Sequence, residues 1–202
     1  MNMNNETVRY YDANACSYYE DTADADVSVL RRIFIGYLKP GSLILDFGCG
    51  SGRDTKAFLK EGIRVDAIDG SMELCRLAEK NTGVPVRHMM FQQLDERCRY
   101  DGIWACASIL HLQSGELADV LQRMKTALKD EGVAYLSFKY GTFEGMRNGR
   151  WFTDMTEEKL RALLRQTGEL KLARLWVTSD VRKQHQDERW LNAIVRRCRE
   201  SA

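Results

Sequence analysis

The stretch Leu43–Lys60, LILDFGCGSGRDTKAFLK, decides the fold of this 202-residue chain. It opens with a short apolar run, Leu43–Leu45, which is typical of a strand buried on both faces. Asp46 ends the run, and glycines then alternate through Gly48, Gly50 and Gly52. Glycine permits positive φ and lets a ligand approach main-chain N–H groups. Because Arg53–Lys60 predicts a helix, the stretch indicates a site for a polar or anionic group at a helix N-terminus.

A second strand follows at Ile63–Ile68, and Asp69 stands at its C-terminal end. Asp69 lies roughly 20 residues beyond the glycines, where an acid can accept hydrogen bonds from ribose hydroxyls. The unit is therefore a βαβ arrangement with a loop for a nucleoside-bearing ligand. The alternative is a tight turn in a ligand-free sheet, which the ordered strand, glycines, helix and acid disfavour.

The segment LDFGCGSGRDT followed by AIDGS resembles the first two motifs of class I S-adenosylmethionine-dependent methyltransferases. It departs from the dinucleotide fingerprint GxGxxG, whose last glycine would fall on Arg53. The resemblance continues through FQQL, YDGIWACASILHL and LKDEGVAYLSFKYG, and so covers most of the chain. Within the superfamily, the sequence looks closest to small bacterial methyltransferases of the tellurite-resistance-like and type-11 kinds.

The repeated βα pattern and the resemblance predict an α/β fold. We expect a Rossmann-like, doubly wound sheet of seven strands, mostly parallel, with an antiparallel C-terminal hairpin and helices on both faces. The later elements are predicted as strands at Val86–Met90, Tyr100–Ala107 and Val133–Phe138, a loop at Lys139–Thr153, and hairpin strands at Leu170–Thr178 and Trp190–Val195. A single domain, 1–202, is expected, with a lid and helix in 1–40, a cofactor-binding core in 41–140 and an acceptor side in 141–202.

The resemblance implies S-adenosyl-L-methionine as cofactor, with S-adenosyl-L-homocysteine as product. The candidate cofactor-binding residues are Asp46, Gly48, Cys49, Gly50, Arg53, Asp69, Gly70, Ser71, Met72, Phe91, Gln92, Ala107 and Ser108. Asp69 should accept the ribose hydroxyls. Arg53 is placed to pair with the methionine carboxylate, with a surface salt bridge as the alternative. Many relatives place an acid near Met90 to read adenine; in this chain Phe91 and Gln92 are the candidate substitutes, with plain core packing as the alternative.

His111 is the candidate general base, because its unperturbed pKa of about 6.5 suits proton removal near neutrality. The alternative is a histidine that caps the following helix, and an acceptor that is already an anion would need no base. Tyr11 and Tyr19 are further catalytic candidates from the tyrosine-rich segment YYDANACSYYEDT. Those tyrosines either pack a helix on the domain or form a lid that excludes water from the cofactor.

Three arginines, Arg147, Arg150 and Arg182, could converge on the acceptor pocket. Converging guanidinium groups favour an anionic acceptor such as a carboxylate, phosphate or oxyanion. For each arginine taken separately, a solvent-exposed charge is the alternative. The sequence predicts a small-molecule acceptor, and it leaves the accepting atom open because this fold serves many acceptors.

The composition limits which partners and which cellular compartment are expected. With a net charge of +1, the protein has no strong overall positive potential that would attract nucleic acid or an acidic membrane. The six cysteines include no CxxC pair and no zinc spacing with histidine, so no metal site is predicted and a reduced cytoplasmic chain fits best. The N-terminus has no apolar signal core, and no run approaches the length of a membrane span. A monomer or homodimer is expected.

Three other functions stay open at the level of the sequence. A tRNA or other RNA methyltransferase is suggested by the basic C-terminal tail, although the near-neutral charge weighs against it. A nicotinamide-dependent oxidoreductase would share the sheet, although Arg53 breaks its glycine fingerprint. A non-catalytic cofactor-binding module is the last of these alternatives.

Overall fold

The computed structural model describes residues 3–182 and 185–198, which form one layered α/β unit. Its α-helices are α1 Met3–Ala13, α2 Ala15–Thr22, α3 Ser28–Ile35, α4 Arg53–Lys60, α5 Met72–Thr82, α6 Ser114–Ala127 and α7 Glu157–Thr167. Its strands are β1 Leu43–Phe47, β2 Arg64–Asp69, β3 Val86–His88, β4 Tyr100–Ala105, β5 Leu128–Lys139, β6 Glu144–Arg147, β7 Arg150–Thr153, β8 Leu170–Ser179 and β9 Arg189–Arg197. Two short 3₁₀ turns span Phe91–Gln93 and Ile109–His111.

Seven strands form the main sheet in the order β3-β2-β1-β4-β5-β9-β8. Strands β1 to β5 are parallel, whereas β9 runs antiparallel to both β5 and β8. The predicted seven-stranded, mostly parallel sheet with an antiparallel C-terminal hairpin is therefore confirmed. Strand order reverses between β1 and β4, and ligands bind at the carboxyl ends of strands beside such a switch point.

Each face of the sheet is covered by apolar packing. On one face, Phe34 of α3 and Phe58 of α4 pack against Trp104, which stacks on Tyr135 with ring centroids 4.1 Å apart. On the other face, α6 and α7 bury leucines against β1, β4 and β5. Because β1 is buried on both faces, its sequence begins with a continuous apolar run. The same packing holds the ends of the strands, where the site lies, in fixed positions.

The predicted loop Lys139–Thr153 is wrong, because residues 144–153 form a second, two-stranded sheet from β6 and β7. Asn148 and Gly149 connect these strands with φ of 50° and 76°, and two positive φ values match a type I′ hairpin turn. A Cβ on Gly149 would lie 2.8 Å from the Tyr10 ring, so the turn packs closely against α1. The hairpin is therefore in direct contact with the N-terminal helix α1.

Several predicted element bounds also differ from the structure. The strand predicted for Val86–Met90 ends at His88, because the chain turns into 3₁₀ geometry at Phe91–Gln93. The strand predicted for Tyr100–Ala107 ends at Ala105, before Ala107 takes positive φ. Strand β5 starts at Leu128 rather than at Val133, since it continues directly from α6. Among the described residues, none of the helices combines the length and apolarity that a bilayer crossing needs.

Candidate active site

The glycine loop after β1 is held against the neighbouring strands. The N–H groups of Gly48 and Cys49 both donate to the Ile68 carbonyl at the end of β2. Gly48 has φ of 84°, and a Cβ there would lie 2.6 Å from the Cβ of Ser108. The Ser108 hydroxyl donates to the Phe47 carbonyl over 2.6 Å. The loop is thus closed on its outer side by the segment after β4, and only glycine fits at position 48.

Asp69 joins the glycine loop to the start of α5. Its Oδ2 accepts the Gly50 N–H and its Oδ1 accepts the Ser71 N–H, both over 2.8 Å. Burial raises the pKa of the Asp69 carboxyl to about 6, although these two hydrogen bonds act in the opposite direction. The side chain is 9% exposed, so a buried acid stands at the end of β2 as the sequence predicted.

Asp46 is a second buried acid, at the base of the loop. It is 2% exposed and its Oδ2 accepts the Thr55 hydroxyl over 2.5 Å. Burial raises its pKa to about 7, and the nearby Asp54 carboxylate adds to the rise. Asp46 therefore sits behind the loop and supports it through α4.

Replacing Asp46 by asparagine is expected to stabilise the protein above pH 7. The folded pKa of about 7 exceeds the usual value of about 3.9, so ionisation costs folding free energy as the pH rises from about 4 to about 7. Asparagine stays neutral throughout. Urea unfolding should show Asp46→Asn more stable than the native chain at pH 8, with a gap that shrinks toward pH 4. An equal gap at both pH values would contradict this assignment.

Arg53 lies at the N-terminus of α4 and is held by Asp54. Its Nη2 is 2.8 Å from Asp54 Oδ2, and its Nη1 is 3.4 Å from the Thr22 carbonyl. Asp54 also accepts hydrogen bonds from Arg31 and from the Trp104 indole. Arg53, followed by these two groups, holds the pKa of Asp54 below its usual value despite burial. Arg53 thereby links α4 to the C-terminal end of α2.

A cavity of about 80 Å³ lies over the glycine loop at the switch point. Its lining comprises Thr7, Val8, Tyr11, Tyr18, Gly48, Gly50, Asp69, Gly70, Ser71, Leu74, Met90, Phe91, Ala107, Ser108, His111 and Leu112. We call it the loop cavity. It brings together the ends of β1, β2 and β4, which the βαβ pattern had placed at one edge of the sheet.

The two N-terminal helices α1 and α2, which we call the lid, roof the loop cavity. The Tyr18 ring lies against Gly50, where a Cβ would be 3.3 Å from it. Asp12 accepts the Ser71 hydroxyl over 2.6 Å, at the N-terminus of α5. The tyrosine-rich segment therefore packs on the glycine loop and on the start of α5, and its role as a lid that excludes water stays a prediction.

His111 lies at the edge of the loop cavity, between the lid and the hairpin. Its Nδ1 is 2.6 Å from the Trp151 carbonyl and its Nε2 is 2.8 Å from the Tyr11 hydroxyl. A carbonyl only accepts, so Nδ1 carries the proton and Nε2 accepts from Tyr11. Burial lowers the pKa of His111 to about 4, assisted by Arg150 and Lys139 and opposed by the bond to Trp151. The imidazole is thus neutral near pH 7.

A larger cavity of about 310 Å³ adjoins the first, and we call it the outer cavity. The lid, the β6–β7 hairpin and the β8–β9 connection all contribute to its walls. Its aromatic lining is Tyr10, Tyr11, Tyr18, Tyr135, Phe152 and Trp190. Its basic lining includes Arg53, Lys139, Arg147, Arg150 and Arg182. The hairpin and the β8–β9 connection belong to 141–202, the stretch predicted as the acceptor side.

The two cavities share one wall, formed by Tyr11, Tyr18, Ala107 and His111. Ala107 has φ of 52°, which is uncommon for a residue with a side chain. Its N–H donates to the Ser137 hydroxyl over 2.8 Å, which holds this bend in place. Residues strained in this way concentrate at functional sites, and this one lies where the two cavities meet.

The structure places the sequence-predicted residues in three groups. The loop cavity collects Tyr11, Gly48, Gly50, Asp69, Gly70, Ser71, Phe91, Ala107, Ser108 and His111. The outer cavity collects Arg53, Arg147, Arg150 and Arg182, together with the shared wall. Asp46, Cys49, Met72, Gln92 and Tyr19 line neither cavity. The Gln92 amide donates to Glu116, and Tyr19 is 38% exposed.

Sequence reasoning passed over Tyr18 and the anchoring of the hairpin. Tyr18 lies seven residues after Tyr11, a spacing that on a continuous helix puts both on one face, with Tyr19 about 100° around the axis from Tyr18. In the structure the two tyrosines lie on successive helices, α1 and α2. The Asn148–Gly149 pair is the strongest short-range signal of a hairpin, and it marks the turn between two arginines. Both signals were available in the sequence. Among the described residues, no three His, Cys, Asp or Glu side chains come close enough together to hold a metal ion.

The sheet order and the loop site define the fold of class I methyltransferases. A sequence model of the family described as a methyltransferase domain matches residues 44–132. This match agrees with the resemblance of the sequence motifs to class I S-adenosylmethionine-dependent methyltransferases. No curated protein gives a significant sequence match to the chain.

Solved structures share this fold at low sequence identity. The Burkholderia thailandensis 1,6-didemethyltoxoflavin-N1-methyltransferase, solved with 1,6-didemethyltoxoflavin and S-adenosylhomocysteine, is 23% identical, with a TM-score of 0.76 over 95% of this chain and 85% of that one. The N-methyltransferase NodS from Bradyrhizobium japonicum WM9, solved with S-adenosylhomocysteine, is 16% identical, with a TM-score of 0.76 over 95% and 98%. The [4+2]-cyclase SpnF is 14% identical, with a TM-score of 0.75 over 94% of each chain.

Proposed function

We propose that the protein transfers a methyl group from S-adenosylmethionine to a small-molecule acceptor held in the outer cavity. The observation that carries this proposal is the wall shared by the two cavities. A donor over the glycine loop and an acceptor beneath the hairpin would meet at Ala107 and His111. Two similar folds were solved with S-adenosylhomocysteine, and one of them also with its acceptor.

The residues of the loop cavity fit an adenosyl sulfonium. Glycines at 48 and 50 carry no side chain that would intrude on a ligand at the loop, while their own N–H groups are already bonded to the Ile68 carbonyl and to Asp69. Asp69 offers a buried carboxylate of raised pKa for the ribose hydroxyls. Phe91 and Met90 supply an apolar edge for adenine. Arg53 pairs with Asp54 and does not line this cavity, so we do not assign it to the methionine carboxylate.

When bound, S-adenosylmethionine supplies an electrophilic methyl group: an acceptor lone pair forms the new bond to carbon while the carbon–sulfur pair stays on sulfur, giving S-adenosylhomocysteine. The residues of the chain position the acceptor and exclude water, which together lower the barrier by up to about 7–11 kcal/mol. Tyr11 and Tyr18 would exclude water, because they belong to the lid and line both cavities.

His111 and Tyr11 form the proton-handling pair in this proposal. The bond from Nδ1–H to the Trp151 carbonyl leaves the Nε2 lone pair facing Tyr11. An acceptor that loses a proton on methylation would give it to this pair, either directly to Nε2 or through the Tyr11 hydroxyl. The lowered pKa of His111 makes it a neutral base near pH 7, and a weak one.

The lid has to withdraw for the cofactor to enter. Ligand pockets commonly enclose about 300–1,000 Å³, well above the roughly 80 Å³ of the loop cavity. We therefore propose a division of the chain in which residues 1–40 gate the site, 41–140 bind the cofactor and 141–202 shape the acceptor side.

Binding and turnover test the proposal directly. Titration calorimetry of the full chain with S-adenosylhomocysteine should show saturable one-to-one binding, with NADH as the control ligand that fails to bind. A panel of small acceptors should then release S-adenosylhomocysteine from S-adenosylmethionine above the acceptor-free background. Absence of binding by both adenosyl ligands would overturn the proposal. Binding without turnover across the panel would favour a cofactor-holding module.

Tyr11→Phe should slow methyl transfer about five- to tenfold at saturating acceptor, since it removes one hydrogen bond to His111 worth about 1 kcal/mol. The ring stays, so affinity for S-adenosylhomocysteine should hold. Tyr19→Phe is the matched control, because Tyr19 is exposed and lines neither cavity. Equal rates in both variants would remove Tyr11 from the proton-handling pair.

RNA is a less favourable acceptor for this site. The outer cavity is bounded by the lid, the hairpin and the β8–β9 connection, whereas strands of nucleic acid need an open basic groove. Of the basic side chains named in its lining, all but Arg150 already pair with carboxylates. The pronounced loss of affinity with added salt that marks nucleic-acid binding would revive this alternative.

A further inference from the structure

Most of the cations named in the lining of the outer cavity are paired with carboxylates. Arg53 pairs with Asp54 over 2.8 Å, Arg147 with Asp154 over 3.0 Å, and Arg182 with Asp180 over 2.7 Å. Lys139 pairs with Glu188. Arg150, the first residue of β7, has no carboxylate within ion-pair distance among the described residues, and its guanidinium lies against Tyr10 and Tyr11 of α1. Asp21 also lines the cavity, and it is exposed to solvent.

The hydrogen-bond donors of Arg150 are largely unused. Its Nη1 reaches the Tyr11 hydroxyl only at 3.4 Å. Its Nε is buried and has no partner in the described part of the chain. A buried unsatisfied donor on a charged group is costly, and a guanidinium presents its donors as a planar fork that matches a carboxylate. Arg150 therefore lacks the partner that each neighbouring cation has.

Aromatic rings surround this guanidinium. Its central carbon lies 4.7 Å from the centroid of the Tyr10 ring, 5.3 Å from that of Phe152 and 5.7 Å from that of Tyr11. Tyr18 and Trp190 line the same cavity. Aromatic side chains favour a flat ligand body through stacked or edge contacts, and they leave the ligand's polar end to pair with the fork.

We propose that the acceptor is an aromatic carboxylate, whose carboxylate pairs with Arg150 and whose ring lies among the aromatic side chains of the outer cavity. The inference rests on the proposed function and narrows its acceptor. A monoanion matches Arg150, the one cation named in this lining that has no carboxylate partner among the described residues, whereas a phosphate monoester would bring a second charge that the paired cations do not meet. A neutral aromatic would leave the Arg150 guanidinium without an anionic partner. The methyl-accepting atom would then lie on the ring, toward His111.

Three probes test the inference on the full chain loaded with S-adenosylhomocysteine: 4-hydroxybenzoate, its matched amide 4-hydroxybenzamide, and phenyl phosphate. Calorimetry should show the carboxylate binding at least tenfold more tightly than either of the others. In Arg150→Gln this preference should fall to within about twofold. Arg150→Lys keeps the charge but loses the fork, so it should retain only part of the preference.

Arg174→Gln is the matched control, because Arg174 is an exposed arginine that lies 4.9 Å over the Trp176 ring and outside both cavities. It should keep the native preference. S-adenosylhomocysteine should bind all four proteins alike, since Arg150 does not line the loop cavity. Loss of that binding in the native chain would instead refute the proposed function.

Several outcomes would overturn the carboxylate proposal while leaving the proposed function standing. These are equal affinity for 4-hydroxybenzoate and its amide, a carboxylate preference that persists in Arg150→Gln, tighter binding of phenyl phosphate, and no binding of any probe to the loaded native chain. Thermal unfolding of each variant, compared with the native chain, checks that the hairpin remains folded.

Discussion

Asp69→Ala is expected to lower the affinity for S-adenosylhomocysteine at least 100-fold. The carboxylate accepts the N–H groups of Gly50 and Ser71, and each bond to a charged group is worth about 1.5–3 kcal/mol. Alanine leaves both donors without an acceptor and removes the proposed partner of the ribose. The glycine loop and the start of α5 lose their common anchor, so the loss of binding should exceed that of a single ligand contact.

Calorimetry on Asp69→Ala should be paired with the same measurement on Asp66→Ala. Asp66 lies on the same strand, pairs with Arg99 and faces away from the loop cavity. Asp66→Ala should bind S-adenosylhomocysteine as the native chain does. Native affinity in Asp69→Ala, with circular dichroism showing a folded protein, would place the ligand somewhere other than the end of β2.

Gly48→Ala is expected to cost about 2–5 kcal/mol of unfolding free energy and to abolish binding of S-adenosylhomocysteine. An L-residue at φ of 84° pays about 1–2 kcal/mol for left-handed backbone. The added Cβ would also lie 2.6 Å from Ser108 Cβ and 3.0 Å from the Phe91 ring, which adds about 1–3 kcal/mol of overpacking. Relief requires moving Ser108, and with it the segment that closes the loop cavity.

Gly62→Ala separates the two costs of Gly48→Ala. Gly62 has φ of 76°, and a Cβ there would meet nothing within 4 Å. Urea unfolding should therefore show a loss of about 1–2 kcal/mol in Gly62→Ala, with ligand affinity intact. Similar losses in both variants would show that the contact between Gly48 and Ser108 has no energetic weight.

The sheet was predictable because its signals are local and repeated. The apolar run at Leu43–Leu45, the alternating glycines and the acid at Asp69 each follow from strand burial, positive φ and position at a strand end. Their order in the chain defines a βαβ unit without knowledge of any tertiary contact.

Other features depend on contacts that one sequence does not reveal. Arg147 and Arg150 looked equivalent in the sequence, but Asp154 neutralises only the first of them. Arg53 looked available to a ligand, but it pairs with Asp54 in the structure. The prediction of a loop before α7 was wrong for a different reason. Asn148–Gly149 is a local signal of a hairpin turn, but the mixture of glycines, arginines and aromatics around it is more typical of a loop.

Two contacts join the hairpin to the lid. The turn at Gly149 packs closely against the Tyr10 ring, and the Trp151 N–H donates to the Thr7 hydroxyl over 3.0 Å. In the proposed function, the segment that shapes the acceptor side and the segment that encloses the cofactor are therefore in direct contact. A chimera that exchanges residues 144–153 for those of a relative would create a mismatch under α1 and leave the donor exposed to water. Residues 3–22 and 144–153 form one exchangeable module, and new acceptor preferences should arise when both segments change together.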